Sequence, residues 1–460
     1  MSLKWSQRCI SCVYVWTPYW LTSCVVGCGS TTQPPPPSSS ASALHTNVGS
    51  SLTATSTGSP SASDTGSQSS GDPTPSTNGP TSWPEGATSS SEDETAASGE
   101  HEANPSLGDL PDDAWRLLHD GSGEIERAYG ITDYSGMALD HEAGRLLLFG
   151  GGHAAAYMGN GVWAFSLEDF RWHEIGVSDS PDHLLECANY QESYPGAVFK
   201  AGSTSIDEAK PTSRHTYDTV EWLTNVGQFA QFGGFGHDEI SGCSPTAFSP
   251  LDMWLFDPDH DHDTSAGNGW TYATAHTFGE AGACATYSDA KGRLYAWTPG
   301  GFFAYDPITN NWDSSLQQPG IAGSTHCAMT ASGGEGDTLY VLGHDYPSSG
   351  ALWRYEIGAD RWTQLDPSGD TPPATGGWGL AYDGRNDVLL AVNRADASCW
   401  TLIYHPEDNR FERVALEETG FCGDNIFGRF KYDRVNNVAF LAQYVQYSVA
   451  IWAYRYKSTP

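Results

Sequence analysis

Basic residues are scarce in this chain of 460: 22 Lys and Arg stand against 56 Asp and Glu, a formal charge of -34. No basic cluster occurs anywhere. That excludes nucleic acid as a partner, because binding a phosphate backbone needs clustered cations that release counterions. Also missing is any contiguous catalytic signature: there is no nucleophile elbow, no His-Glu-x-x-His zinc motif and no phosphate loop. No uninterrupted apolar run reaches the roughly 20 residues that a membrane-spanning helix wants. What the chain has in quantity is 51 Gly beside 17 Trp, 22 Tyr and 17 Phe. Large flat side chains among many turns describe an all-β composition. Length alone, at roughly 150 residues per domain, suggests three domains.

The charge divides unevenly along the chain. Residues 1–27 contain Lys4 and Arg8, no acid, and a charge-free run from Ile10 to Val26 that suits a signal peptide. Its end, Val25-Val26-Gly27-Cys28-Gly29-Ser30, resembles the bacterial lipobox, in which a Cys after small residues is lipidated and becomes the first mature residue. The resemblance implies a lipid anchor on Cys28, with Cys24 fitting the same pattern, and Gly29 after the Cys implies sorting to an outer membrane. Residues 28–106 form a Ser/Thr/Pro/Gly-rich stretch in which Thr31 to Ser106 hold eight acids and no Lys or Arg. Too little apolar surface is present to offset the entropy of ordering, so a disordered, self-repelling tether is expected. The remaining 354 residues hold 48 acids and 20 bases, a charge of -28.

Within 107–460 three alternating segments recur six times in fixed order. The first ends near an acid or turn, as in Met137-Ala138-Leu139-Asp140 and Phe430-Lys431-Tyr432-Asp433. The second is typified by Leu146-Leu147-Leu148-Phe149-Gly150-Gly151 and Phe229-Ala230-Gln231-Phe232-Gly233-Gly234. The third alternates aromatics, from Trp163 and Phe165 to Trp452 and Tyr454. Period two on this scale predicts strands. A fourth segment opens with an aromatic seven residues on: Phe165 to Trp172, Tyr305 to Trp312, Tyr355 to Trp362, Tyr404 to Phe411. The second copy carries an insert there, since Phe256 and Trp270 are fourteen apart.

Four strands per unit, a glycine doublet and the Tyr-six-Trp spacing resemble the kelch repeat of galactose oxidase-type β-propellers. The doublet is displaced to Gly300 and Gly301 in the third copy, reduced to Gly343 in the fourth and absent from the last two. The fold expected is an all-β, six-bladed β-propeller. The sixth unit ends without a fourth strand, and Trp115-Arg116-Leu117-Leu118 has the form of one, so this N-terminal strand is expected to complete the last blade and close the ring.

Strand alternation places the loops between second and third strands, and those between blades, on one face. On it fall His153, Tyr157, Asn160, Arg214, His215, Tyr217, His237, Asp238, Glu239, His326, His344, Asp345, Asn393, Arg394 and Asp396, with the long insertion Val177 to Ser213. Imidazoles near Tyr or carboxylates can supply a general base, a metal ligand or a sugar contact. Arg214 can alternatively pair with a carboxylate inside the fold. On the other face Asp257-Pro258-Asp259-His260-Asp261-His262-Asp263 offers cation ligands, but it lacks the Gly and downstream Glu of an EF-hand, and a solvated acidic loop is the expectation. Tyr217, His215, His326 and Cys284 have the residue types of a galactose oxidase copper centre, without a motif that fixes them. Six cysteines outside the export segment suit an oxidising compartment. Neighbouring loop positions suggest Cys187 with Cys243 and Cys399 with Cys422, and matching inner-strand positions in adjacent blades suggest Cys284 with Cys327, free thiols or a Cys-His metal site being the alternatives.

The leading expectation is an envelope-anchored, monomeric lipoprotein whose propeller binds a carbohydrate or protein through its loop-rich face. No cofactor is firmly implied, although a metal ion is compatible with the residues. The alternative is a carbohydrate-active enzyme, either a galactose oxidase-like copper enzyme or a polysaccharide lyase. In the lyase His153 or His215 would be the base, Tyr217 the acid, and Arg214 would neutralise a uronate.

Overall fold

The computed structural model describes residues 100–121, 125, 131–132, 134–150, 160–177, 211, 214–236, 252–260, 268–275, 282–319, 326–332, 338–343, 350–395, 398–414, 426–445 and 448–457. Each blade is built on a four-stranded antiparallel sheet, and in the first five the strands follow one another from the innermost outward. Blade 1 is Met137–Asp140, Arg145–Phe149, Val162–Ser166 and Trp172–Gly176. Blade 2 starts at Val220–Leu223 and ends at Trp270–Ala275, and blade 3 runs from Cys284–Ser288 to Asn311–Asp313. Blade 4 runs from Ala328–Ala331 to Arg361–Leu365, and blade 5 from Gly379–Asp383 to Arg410–Arg413, with Ser368–Gly369 added in parallel at its outer edge. Among the described residues the only helix is the four-residue turn Pro105–Gly108, and no helix is long and apolar enough to cross a membrane.

Blade 6 takes Phe430–Asp433, Val438–Val445 and Ser448–Arg455 from the end of the chain and its outermost strand, Ala114–His119, from before blade 1. The expected closure is therefore present, with Trp115 opposite Tyr454 and Leu117 opposite Trp452.

A blade is apolar on both faces, so it must be sandwiched. Six separate buried clusters do this, one at each junction. Phe149 and Val162 meet Trp222 and Trp254 between blades 1 and 2. Leu223 and Phe232 meet Tyr287 and Leu294 at the next junction. The series continues around to Leu146 and Phe165 against Phe440 and Ile451, where blade 6 returns to blade 1. Six blades thus make one ring, where length alone suggested three domains.

The recurrent spacing of aromatics is a cross-strand pair between the third and fourth strands. Phe165 faces Trp172, Phe256 faces Trp270, Tyr305 faces Trp312, Tyr355 faces Trp362 and Tyr404 faces Phe411. Ring centroids in these pairs lie 5.0 to 5.3 Å apart. The closing pair Trp115 and Tyr454 repeats the geometry at 5.1 Å. Such contacts contribute about 0.5–1.5 kcal/mol beyond area burial. The insert in blade 2 lengthens the turn without moving the pair.

Candidate functional site

Six equivalent residues precede the innermost strands: Tyr134, Tyr217, Gly282, His326, Gly377 and Phe427. All six have left-handed backbone, with φ of 53°, 49°, 77°, 64°, 74° and 49°. Glycine adopts this conformation at no steric cost, whereas Tyr, His and Phe do so only when the surroundings fix it. Part of what fixes it is a set of four backbone hydrogen bonds between neighbouring members of this series. Tyr217 N donates to Tyr134 O at 2.6 Å, His326 N to Gly282 O at 2.7 Å, Gly377 N to His326 O at 3.1 Å and Phe427 N to Gly377 O at 3.2 Å.

The four side chains of this series converge on the ring axis. Tyr217 lies 5.9 Å from Tyr134, 5.7 Å from His326 and 5.4 Å from Phe427, measured between ring centroids. His215 packs against Tyr134 at 4.8 Å with the rings tilted by 30°. Tyr134 and His326 are half-buried, while His215, Tyr217 and Phe427 are buried. Burial pushes the Tyr217 hydroxyl well above its usual pKa, with the neighbouring Tyr134 adding to the shift. Burial also lowers the His326 imidazole, which favours its neutral form.

Three of the expected loop-face residues, His215, Tyr217 and His326, are therefore brought together. Tyr134 and Phe427, which complete the cluster, lie outside the alternating segments. Counting back six residues from Asp140 and Asp433, in register with Tyr217 before Leu223, is the signal that finds them. Arg214 is buried and bound by Asp252, with Nη1 to Oδ1 at 2.5 Å and Nη2 to Oδ2 at 3.3 Å, and it donates to Gly233 O at 3.1 Å. Its charge is thus paired with a carboxylate inside the fold, as the alternative reading had it. Asn160 is buried and donates to Pro211 O at 3.1 Å. Arg394 is exposed at the end of a long hairpin. His153, Tyr157, His237, Asp238, Glu239, His344, Asp345 and Asp396 lie outside the described residues, as do Cys28, Cys187, Cys243 and Cys422.

Cys284 is joined to Cys327, with Cα atoms 5.5 Å apart, so blades 3 and 4 are stapled beside the axis and Cys284 is not free to ligate copper or join a Tyr. Cys399 is also disulfide-bonded. Among the described residues no group of three or more His, Cys, Asp or Glu could hold a metal ion. In the acidic segment Asp259 pairs with Arg145 at 2.8 Å and Asp257 caps the Asp259 N–H, while 261–263 lie outside the described residues.

At the other end of the axis the innermost strands and their hairpin turns enclose a cavity of about 430 Å³, to which all six blades contribute. Lys431 of blade 6 and Glu221 of blade 2 meet in its wall at 2.6 Å. Behind them Asp218 lies 3.8 Å from Lys431 and accepts from Met329 N of blade 4 at 3.0 Å. A Cβ at Gly428 would overlap the Asp218 carboxylate, so glycine is needed there. One cation facing two buried carboxyls cannot neutralise both. Burial pushes Asp218 up to about 8 and raises Glu221, with Lys431 opposing both shifts.

No family model matches the chain, and no curated protein matches it. Among solved structures, one titled "Structure of YjhT" is 13% identical, covers 73% of this chain and 95% of its own, and has a TM-score of 0.46. The six blades are established by the sheet topology itself.

Proposed function

We propose that the chain is an exported, envelope-anchored lipoprotein whose kelch-type propeller binds a carbohydrate at the axial aromatic cluster. The lipobox-like Cys28 supplies the anchor in this reading, and the acidic stretch 28–106 the reach. One observation carries the binding function: four blades each place an aromatic ring at the axis on strained backbone, with Tyr134 and His326 left half-buried. Bulky residues held in this conformation cluster at ligand-binding positions, and here four of them also converge on one axis. Flat rings beside imidazole N–H groups suit the mixed apolar and polar surface of a sugar.

A glycan array probed with the whole chain tests this. Retention of a glycan is expected, weakened about tenfold or more by Tyr134→Ala and by His326→Ala. No retention, or retention unchanged in both variants, would overturn it. A lyase is the second reading, favoured by a neutral His326 beside a protonated Tyr217, the states a base and an acid need. Release of unsaturated uronate during the same experiment would select it.

A further inference from the structure

The cavity at the opposite end of the axis has no part in that reading. Its ionic side chains are balanced and segregated. Glu221 and Asp289 stand on blades 2 and 3; Arg385, Lys431 and Arg434 stand on blades 5 and 6, across the ring; and Glu100 joins Arg434 at 2.7 Å. Arg434 also reaches Asp289, on the blade diametrically opposite, at 3.7 Å, so one ion pair spans the mouth.

Several neutral hydrogen-bonding groups of the wall are engaged elsewhere. Tyr382 and Tyr432 donate to Asp387 and Asn437 in their own turns at 2.6 and 2.7 Å, and Tyr287 donates to Asn225. The Thr286 hydroxyl accepts from Ala331 N at 3.1 Å. The tyrosines therefore present rings, and six charged side chains, with His141 beside them, dominate the polar lining that a ligand would meet. A singly charged ligand would leave one wall charge in excess in a partly desolvated space, which is costly. A ligand carrying one charge of each sign preserves the balance. The volume lies in the range of small-molecule sites.

We propose that this cavity binds a zwitterion of free amino acid to dipeptide size, its ammonium toward Glu221 and Asp289 and its carboxylate toward Lys431 and Arg385. Entry displaces Arg434 from Asp289, and the ligand's two ends replace that pair.

Calorimetry with the whole chain against glycylglycine and the free amino acids tests the site, with N-acetylated and amidated forms as controls. At least one zwitterion should bind with one-to-one stoichiometry, and blocking either end should weaken it about tenfold or more, the expected effect of losing one charge-assisted hydrogen bond. Arg385→Ala and Asp289→Asn alter the rim rather than the buried Lys431–Glu221 pair, so both should fold. Each should lower affinity about tenfold with an unchanged circular dichroism spectrum. The proposal fails if no zwitterion binds at millimolar concentration, if blocked forms bind equally well, or if both variants bind as the parent does. Because the aromatic cluster is untouched by these variants, glycan retention measured on them separates failure of this site from failure of the other.

Discussion

Asp218 follows directly on a left-handed Tyr217, and this turn sends its carboxyl into the axis instead of outward. There it meets Met329 N, 111 positions away in sequence, and Lys431. Nothing local announces this. Arg214, His215, Thr216 and Tyr217 lead up to the innermost strand that begins at Val220, yet the partners of Asp218 come from other repeats. The physical consequence is a pH dependence with a definite sign. A carboxyl raised to about 8 holds its proton more tightly when folded than when unfolded. Its stabilising contribution is complete below the unfolded value and is lost as pH rises through the folded one. Between about pH 6 and pH 9 the urea midpoint of the parent should therefore fall, and that of Asp218→Asn should fall less. Equal slopes for the two proteins would show that Asp218 ionises normally.

At the scale of the strand pair, the seven-residue aromatic spacing was fully legible, and the residue between explains its constancy. Five places after the leading aromatic sits a left-handed residue: Asn310, Asp360 and Asn409 have φ of 51°, 46° and 46°. Each accepts a hydrogen bond from the tyrosine that opens the turn, at 2.9, 2.6 and 2.9 Å. Asn and Asp tolerate this backbone better than other side chains do. In blade 1 Phe165 has no hydroxyl, and Phe170 takes the left-handed place by stacking on it at 6.4 Å. Blade 6 reproduces the device across a gap in the chain. Asp113, with φ of 53°, accepts from the Tyr454 hydroxyl at 3.2 Å, though the two are 341 residues apart. Tyr454→Phe should cost about 1 kcal/mol in urea unfolding, as for one hydrogen bond. Asp113→Ala should cost about 1–2 kcal/mol, because it adds left-handed strain, and Asp113→Gly should cost less than Asp113→Ala. An Asp113→Gly chain less stable than Asp113→Ala would refute the backbone part of this account.

For the whole molecule, blade number and ring closure followed from repetition alone, because each copy carries the same pattern and the odd strand had only one vacancy to fill. The Cys284–Cys327 pairing was also within reach, since both cysteines sit at inner-strand positions of adjacent blades. The cavity was not legible, because each blade contributes only a few residues to it and their charges acquire meaning only across the ring. Closure is also where cooperativity can be tested. The N-terminal segment buries Trp115 against blades 5 and 6 and Leu107 and Leu110 against blades 6 and 1. Arg455 donates to Leu107 O, Gly108 O and Leu110 O at 2.7, 2.9 and 3.0 Å. Trp115 Nε1 adds a bond to Thr401 Oγ1 at 3.0 Å. Losing a buried Trp alone costs about 3–5 kcal/mol, and in a large domain each kcal/mol moves Tm by about 2–4 °C. Removing residues 100–119 should therefore lower Tm by more than about 10 °C, and Trp115→Ala should reproduce a substantial part of that loss in a chain that still folds. The effect should appear as one earlier transition of the whole ring, because the freed edge of blade 6 leaves the clusters on both of its sides open. A truncated chain that melts at the parent temperature, or one that loses blade 6 in a separate step while the rest holds, would show that the strand decorates the ring without closing it.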